Sequence, residues 1–314
     1  MYNKEVKMRQ NALVAFCIDR RAEIMFKNMK KFLSCALAAC SIVACAGTLT
    51  ACETNKPEVE MKIEFNGETY TLEYQMNRKV TPNTVKHFLW LVDGGYYNNT
   101  IIHDYDAGAL KMYGGLYDHV EKSEGDYYTL DKSYKAFCEK YASSFPASVF
   151  TDKGTTPTYT LYGEFSGNNY VVKNGELKEG LGSLAMYYHE KETEERVYVK
   201  RVDGDGEGYS ARAYEYNSAT SMFYISLSTS KKTQKNYCVF ATLTEDGQEE
   251  FEDLKQAIAD YIESECDSDA DKFVTEKEFY IDQEDDFVGN KDQQATFEVP
   301  NEPIIIKSVK VTKY

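Results

Sequence analysis

Apolar positions recur along this chain in two rhythms. Val85, Phe88, Leu89 and Val92 fall at i, i+3, i+4 and i+7, which predicts a helix over residues 82–92. Thr81 is placed to cap it, Pro82 suits a first helical position where no N–H is needed, and Gly94 or Gly95 can end it in a left-handed conformation. Phe251, Leu254, Ile258 and Ile262 share a face in the same way, so a second helix is expected over 247–262, and a short one within 132–141. Runs rich in β-branched and aromatic residues predict strands at 60–65, 69–74, 101–105, 110–113, 161–165, 182–188, 222–227, 238–242 and 304–311. Many strands and few helices indicate an all-β barrel.

Three segments, at about 117–157, 190–213 and 263–290, are too polar and too long to be tight turns and read as loop insertions, the last strongly acidic. The amino-terminal region has a different character. Met29-Lys30-Lys31 is a basic start, 32–43 is apolar and small, and Leu49-Thr50-Ala51-Cys52 resembles a bacterial lipobox, so 29–51 reads as a lipoprotein signal peptide with Cys52 as the lipidated residue. The apolar run is too short and too broken for a membrane-spanning helix. A second candidate, Ile42-Val43-Ala44-Cys45, would shorten it further. Residues 1–28 then precede the true start at Met29 as an over-extended reading frame, or else form a long basic leader; 52–59 is a tether and 60–314 the folded domain. Of 36 basic and 51 acidic residues, eight and three lie in 1–51, so the remainder carries a net −20. Such a charge excludes nucleic acid as a natural partner and leaves attachment to the outer face of a bacterial cytoplasmic membrane to the lipid.

Four of the eight cysteines fall at or before residue 45, leaving Cys52, Cys138, Cys238 and Cys266 without metal-ligand spacing. Cys238, in the apolar run 237–240, reads as a core residue, and pairing of Cys138 with Cys266 stays open. His87 is placed on a polar helix face, His119 and His189 in loops, and His103 in a strand, none with a serine or aspartate at catalytic spacing. Residues 267–278 set Asp267, Asp269, Asp271, Thr275 and Glu278 at positions 1, 3, 5, 9 and 12 of a calcium-type loop, but Lys272 stands where glycine is needed, so a solvated acidic loop competes with that reading.

Residues 81–103 read TPNTVKHFLWLVDGGYYNNTIIH and are followed by Gly114-Gly115. This stretch resembles the cyclophilin family of peptidyl-prolyl isomerases, in which a helix T-V-x-x-F-x-x-L leads through G-Y-Y-x-x-T to F-H-R-V and then F-M-x-Q-G-G. Further blocks follow in order: LYGEF at 161–165 for I-Y-G-E-x-F, GSLAM at 182–186 for G-x-L-S-M, NSATSMFYI at 217–225 for N-T-N-G-S-Q-F-F-I, Val239-Phe240 for V-F-G, and EPIIIKSV at 302–309 for the closing strand of bacterial lipoprotein members. The resemblance covers roughly 60–312 and implies a closed eight-stranded antiparallel barrel capped by two helices, with the three segments above as insertions.

Prolyl isomerisation is rotation about a conjugated C–N bond with a barrier of about 18–20 kcal/mol. A catalyst holds the ring in an apolar pocket and offers a donor to the unconjugated nitrogen. The resemblance implies an arginine donor, yet here that position is Asp104, with Met222 for a glutamine, Tyr224 for a phenylalanine and Tyr237 for a histidine. The implied substrate groove comprises His103, Met186, Tyr187, Met222, Phe223, Tyr224 and Tyr237; one extra residue before Gly114 leaves open whether Ala109 or Leu110 faces it. A carboxylate cannot donate to a prolyl nitrogen. Arg212, just ahead of the 217–225 block, is the candidate substitute. The expectation is therefore an isomerase of exported polypeptides with a degenerate site, needing no cofactor; the alternatives are a non-catalytic lipoprotein that binds proline-containing peptides and a surface interaction protein.

Overall fold

β1 (Glu58–Phe65) turns Val59, Met61, Ile63 and Phe65 inward, and Asn66 and Gly67, at φ 48° and 78°, fold it tightly back into β2 (Glu68–Met76). The computed structural model of the chain describes residues 54–121, 127–131, 134–168, 170, 177–187, 196–200, 208–213, 219–281 and 293–314. After β2 come α1 (Pro82–Asp93), β3 (Thr100–Asp106), β4 (Lys111–Glu121), β5 (Tyr127–Asp131), α2 (Tyr134–Lys140), β6 (Val149–Phe150), β7 (Lys178–Glu179), β8 (Leu184–Met186), β9 (Arg196–Lys200) and β10 (Tyr209–Ala213). They are followed by β11 (Phe223–Ser226), β12 (Lys232–Thr233), β13 (Cys238–Leu243), α3 (Glu245–Glu265), β14 (Val274–Ile281), β15 (Gln293–Pro300) and β16 (Ile305–Lys313).

Eight strands pair in the order β11-β8-β13-β2-β1-β16-β3-β4, and β4 pairs back onto β11, so that a mostly β chain closes an antiparallel ring. Closure uses the backbone donors and acceptors that an open edge would expose. Phe88 of α1 packs inward against Phe240 and Phe223, and Phe251, Leu254 and Ile258 of α3 join the same core. Among the described residues no helix is long and apolar enough to cross a membrane.

The start of α1 departs from expectation. Thr81 makes no side-chain cap, and among the described residues its buried hydroxyl has no hydrogen-bond partner. Instead Glu164 accepts hydrogen bonds from Asn83 N (3.1 Å), Thr84 N (2.9 Å) and Thr84 Oγ1 (2.8 Å), satisfying the helix's first donors from 80 residues away. This explains why 161–165 is not a strand: Leu161 makes a single bridge to Ala219, and the segment then bends to deliver Glu164. Burial raises the Glu164 carboxyl pKa, and those three donors oppose the shift.

The insertions carry more order than loops. Segment 117–157 contains β5 and α2, and its Phe137 and Phe145 pack edge-on against Trp90, each at 5.1 Å. This cover buries His87, contrary to its expected polar face; its Nε2 sits 2.9 Å from the Thr220 carbonyl, and burial pulls its pKa down to about 4. Segment 190–213 supplies β9 and β10 of a separate three-stranded sheet with β6. The acidic segment supplies β14, which pairs with β15. Cys138, Cys238 and Cys266 are buried, and among the described residues none is in a disulfide.

The G-Y-Y segment locks the ring shut. Tyr96 donates to Ser221 Oγ (3.0 Å), Tyr97 to the Ser221 carbonyl (2.9 Å), and Ser221 Oγ to the Gly115 carbonyl (2.8 Å). Gly115 has φ 88°, and a Cβ there would lie 2.4 Å from the Ser221 carbonyl oxygen. At Gly114 a Cβ would meet only the ends of Ile102, Ile306 and Phe223, at 3.2–3.4 Å. Gly115→Ala is therefore expected to lower stability by about 2–4 kcal/mol in urea unfolding and Gly114→Ala by less; the reverse order would contradict this account of the closure.

Candidate functional site

Strand alternation sorts the side chains of β4, β8, β11 and β13 onto two faces. Met112, Leu184, Met186, Phe223, Ile225 and Phe240 point into the core, whereas Tyr113, Ala185, Tyr224 and Val239 form a second cluster, joined by Leu177, Tyr187 and Tyr237. Of the expected groove residues, Tyr187, Tyr224 and Tyr237 are thus brought together, while Met186 and Phe223 are core residues on the opposite face. Met222 is buried, and its carbonyl accepts the Tyr187 N–H at 3.0 Å.

Two members of the site were missed. Tyr113 packs against Tyr224 and Tyr187, each at 5.7 Å between ring centroids, and Tyr224 meets Tyr237 edge-on at 5.3 Å. Lys111 lays its ammonium 4.2 Å from the Tyr237 ring centroid, 4.4 Å from Tyr224 and 5.9 Å from Tyr113. Ring quadrupoles attract such a cation. Desolvation lowers the Lys111 pKa, partly opposed by the charge of Glu179. The question of Ala109 or Leu110 resolves differently from either expectation: both are exposed, and Lys111 covers the rings.

His103 does not line this cluster. It is fully buried on another side of β3, edge-on to Tyr117 (5.3 Å) and Phe297 (5.0 Å), and among the described residues neither ring nitrogen has a hydrogen-bond partner of good geometry. Burial draws its pKa down to about 3, so it stays neutral. β15 provides that cover, and Asp104 helps hold it: Asp104 Oδ1 accepts the Glu298 N–H at 2.9 Å. Asp104 is also the ladder partner of Tyr113. Arg212 lies exposed on β10, in the separate three-stranded sheet, and is not among the side chains of the tyrosine cluster.

The calcium-type loop is not formed. Lys272 Nζ pairs with Asp267 Oδ2 at 2.7 Å, Asp269 accepts the Asp271 N–H, Thr275 donates to Asn301, and Glu278 lies on β14 where an exiting helix would be required. Among the described residues no group of three metal-ligating side chains converges. Cys52 lies outside the described residues.

Burial raises the Asp104 carboxyl to about 6, the Glu298 N–H offsetting part of the shift. Because the folded pKa exceeds the unfolded one, near 3.8, the native state is penalised above pH 6 and relieved as pH falls from 6 towards 4. Comparing urea midpoints at pH 7 and pH 5, Asp104→Asn should remove a stabilisation on acidification that the parent shows. Equal pH responses would refute the assignment.

A family model described as cyclophilin type peptidyl-prolyl cis-trans isomerase/CLD matches residues 60–274. No curated protein matches the chain. Among solved structures, a cyclophilin type peptidyl-prolyl cis-trans isomerase of Cryptosporidium parvum aligns at 17% identity over 82% of this chain and 99% of its own, with a TM-score of 0.41. The same protein crystallised in the presence of the dipeptide Ala-Pro aligns at 17% identity and equal coverage, with a TM-score of 0.38. The family model alone spans well over half the chain, and on that ground the chain belongs to the cyclophilin-type peptidyl-prolyl cis-trans isomerase family.

Proposed function

We propose that this chain acts on exported polypeptides as a cyclophilin-type isomerase with a degenerate site, its ring of strands serving as the family's barrel and its insertions as decoration. The observation that carries the reading is the state of Asp104. A carboxylate occupies the donor position, is half-buried, and is engaged by the Glu298 backbone. It accepts where a prolyl nitrogen requires a donor. The tyrosine cluster keeps an apolar floor, so peptide binding is retained better than turnover.

The second reading, a peptide-binding relative without catalysis, draws support from Lys111, which already covers the rings. The two separate in one assay. Losing a preorganised donor costs about 10²–10³-fold in rate, so isomerisation of a prolyl peptide should fall that far below an arginine-bearing family member while binding saturates. Full family-level turnover would overturn the degenerate site; binding with no acceleration at high protein concentration would select the second reading.

The same proposal places the domain on the outer face of a bacterial cytoplasmic membrane, tethered at Cys52. Two or more acyl chains make a stable anchor where one does not. Cys52→Ala should shift the protein from the membrane fraction to the soluble exported fraction; continued membrane association would sink the anchor assignment.

A further inference from the structure

The tyrosine cluster has a property that the reading of Asp104 does not use. Its occupant is an ammonium. Lys111 Nζ sits within 4.4 Å of two ring centroids, yet among the described residues Lys111 makes no ion pair. The rings hold it by their faces, and the site is lined on one side by Tyr113, Tyr224 and Tyr237. Asp104 and Asp106 act on the Tyr113 ring, and Glu179 acts on both Lys111 and Tyr224. Glu179 is buried, fixed by Ser226 Oγ at 3.0 Å and by Gln234, and lies 4.0 Å from Lys232 Nζ, whose charge opposes that of Glu179 at Lys111. Aromatic faces select cations over neutral apolar groups.

Lys111 is also replaceable as an occupant. It is the first residue of β4, directly after Leu110, which has φ 57° and an exposed side chain. With four rotatable bonds and, among the described residues, no carboxylate within pairing distance, its head can leave for water while its strand stays paired.

We infer that the tyrosine cluster is a cation subsite, closed in the free protein by Lys111 and taken by the ammonium of a lysine side chain in a bound polypeptide. This rests on the reading that the groove holds polypeptide segments, and it names what such a segment must present. The acidity of the whole domain, net −15 for the chain, favours approach of basic segments.

The test uses the full chain and three blocked pentapeptides: Gly-Ala-Lys-Ala-Gly, the same with norleucine for lysine, and Gly-Ala-Pro-Ala-Gly. Titration calorimetry on the parent should show the lysine peptide binding more tightly than the norleucine peptide. Lys111→Ala, which empties the cage, should tighten the lysine peptide about tenfold and leave that preference in place. Equal affinities for lysine and norleucine in both proteins would overturn the cation subsite, while binding of the proline peptide would leave the groove reading standing. No binding by any of the three would sink both. Should Lys111→Ala fail to fold, Tyr237→Leu reads the same claim: it should weaken the lysine peptide and spare the norleucine one.

Discussion

The hydroxyls of Tyr96 and Tyr97 converge on Ser221, and Ser221 in turn holds the Gly115 carbonyl. This buried chain of three hydrogen bonds is the constraint on which the site depends. It joins the loop after α1 to the segment entering β11 and to the middle of β4, the two strands that close the ring. Each bond is worth only about 1 kcal/mol net, but leaving one buried partner unsatisfied costs about 1–3 kcal/mol. Closure at this point sets the register Phe223↔Gly114 and Tyr224↔Tyr113. The register sends Phe223 inward and Tyr224 outward, and so builds core and tyrosine cluster from adjacent residues.

A second long-range link works on the same elements. Glu164 satisfies the first donors of α1, which carries Phe88 into the core and leads into the G-Y-Y loop. A carboxylate at a helix N-terminus is favoured by the helix dipole, which offsets part of the cost of burying it. Thr81 and Glu164 also line a cavity of about 10 Å³, room for a single water. The structure therefore commits buried polar groups to positioning the ring, and the groove inherits their geometry.

Much of the frame was legible in the sequence where a long period met a buried face. The helices expected over 82–92 and 247–262 are α1 and α3, extended by a few residues, and the strands that became β1, β2, β13 and β16 carry their apolar residues at the alternating positions that the core uses. What could not be read depends on distant partners. No local signal tells that Glu164, 80 residues on, and not Thr81, caps α1. His87 looked solvent-facing because α2 and Phe145 cover it from an insertion. His103 looked like a groove residue because its cover, Phe297, arrives on β15 from beyond the acidic segment. Lys111 and Tyr113 did have a signal: counting back from Gly114-Gly115 in F-M-x-Q-G-G puts them in the methionine and glutamine places. The extra residue ahead of them drew attention to Ala109 and Leu110 instead.

On the proposed function, holding a polypeptide and rotating its prolyl bond are steps that a guanidinium donor joins in one groove and that Asp104 weakens unequally. The most direct measurement is two-dimensional exchange NMR on an isotopically labelled prolyl peptide at saturating protein, which reads cis–trans interconversion within the complex itself. Shifted resonances that report binding are expected, with exchange faster than in the free peptide but about 10²–10³-fold slower than in the complex of an arginine-bearing family member. Exchange as fast as in the complex of an arginine-bearing member would contradict the degenerate site, because Asp104 accepts where that arginine donates.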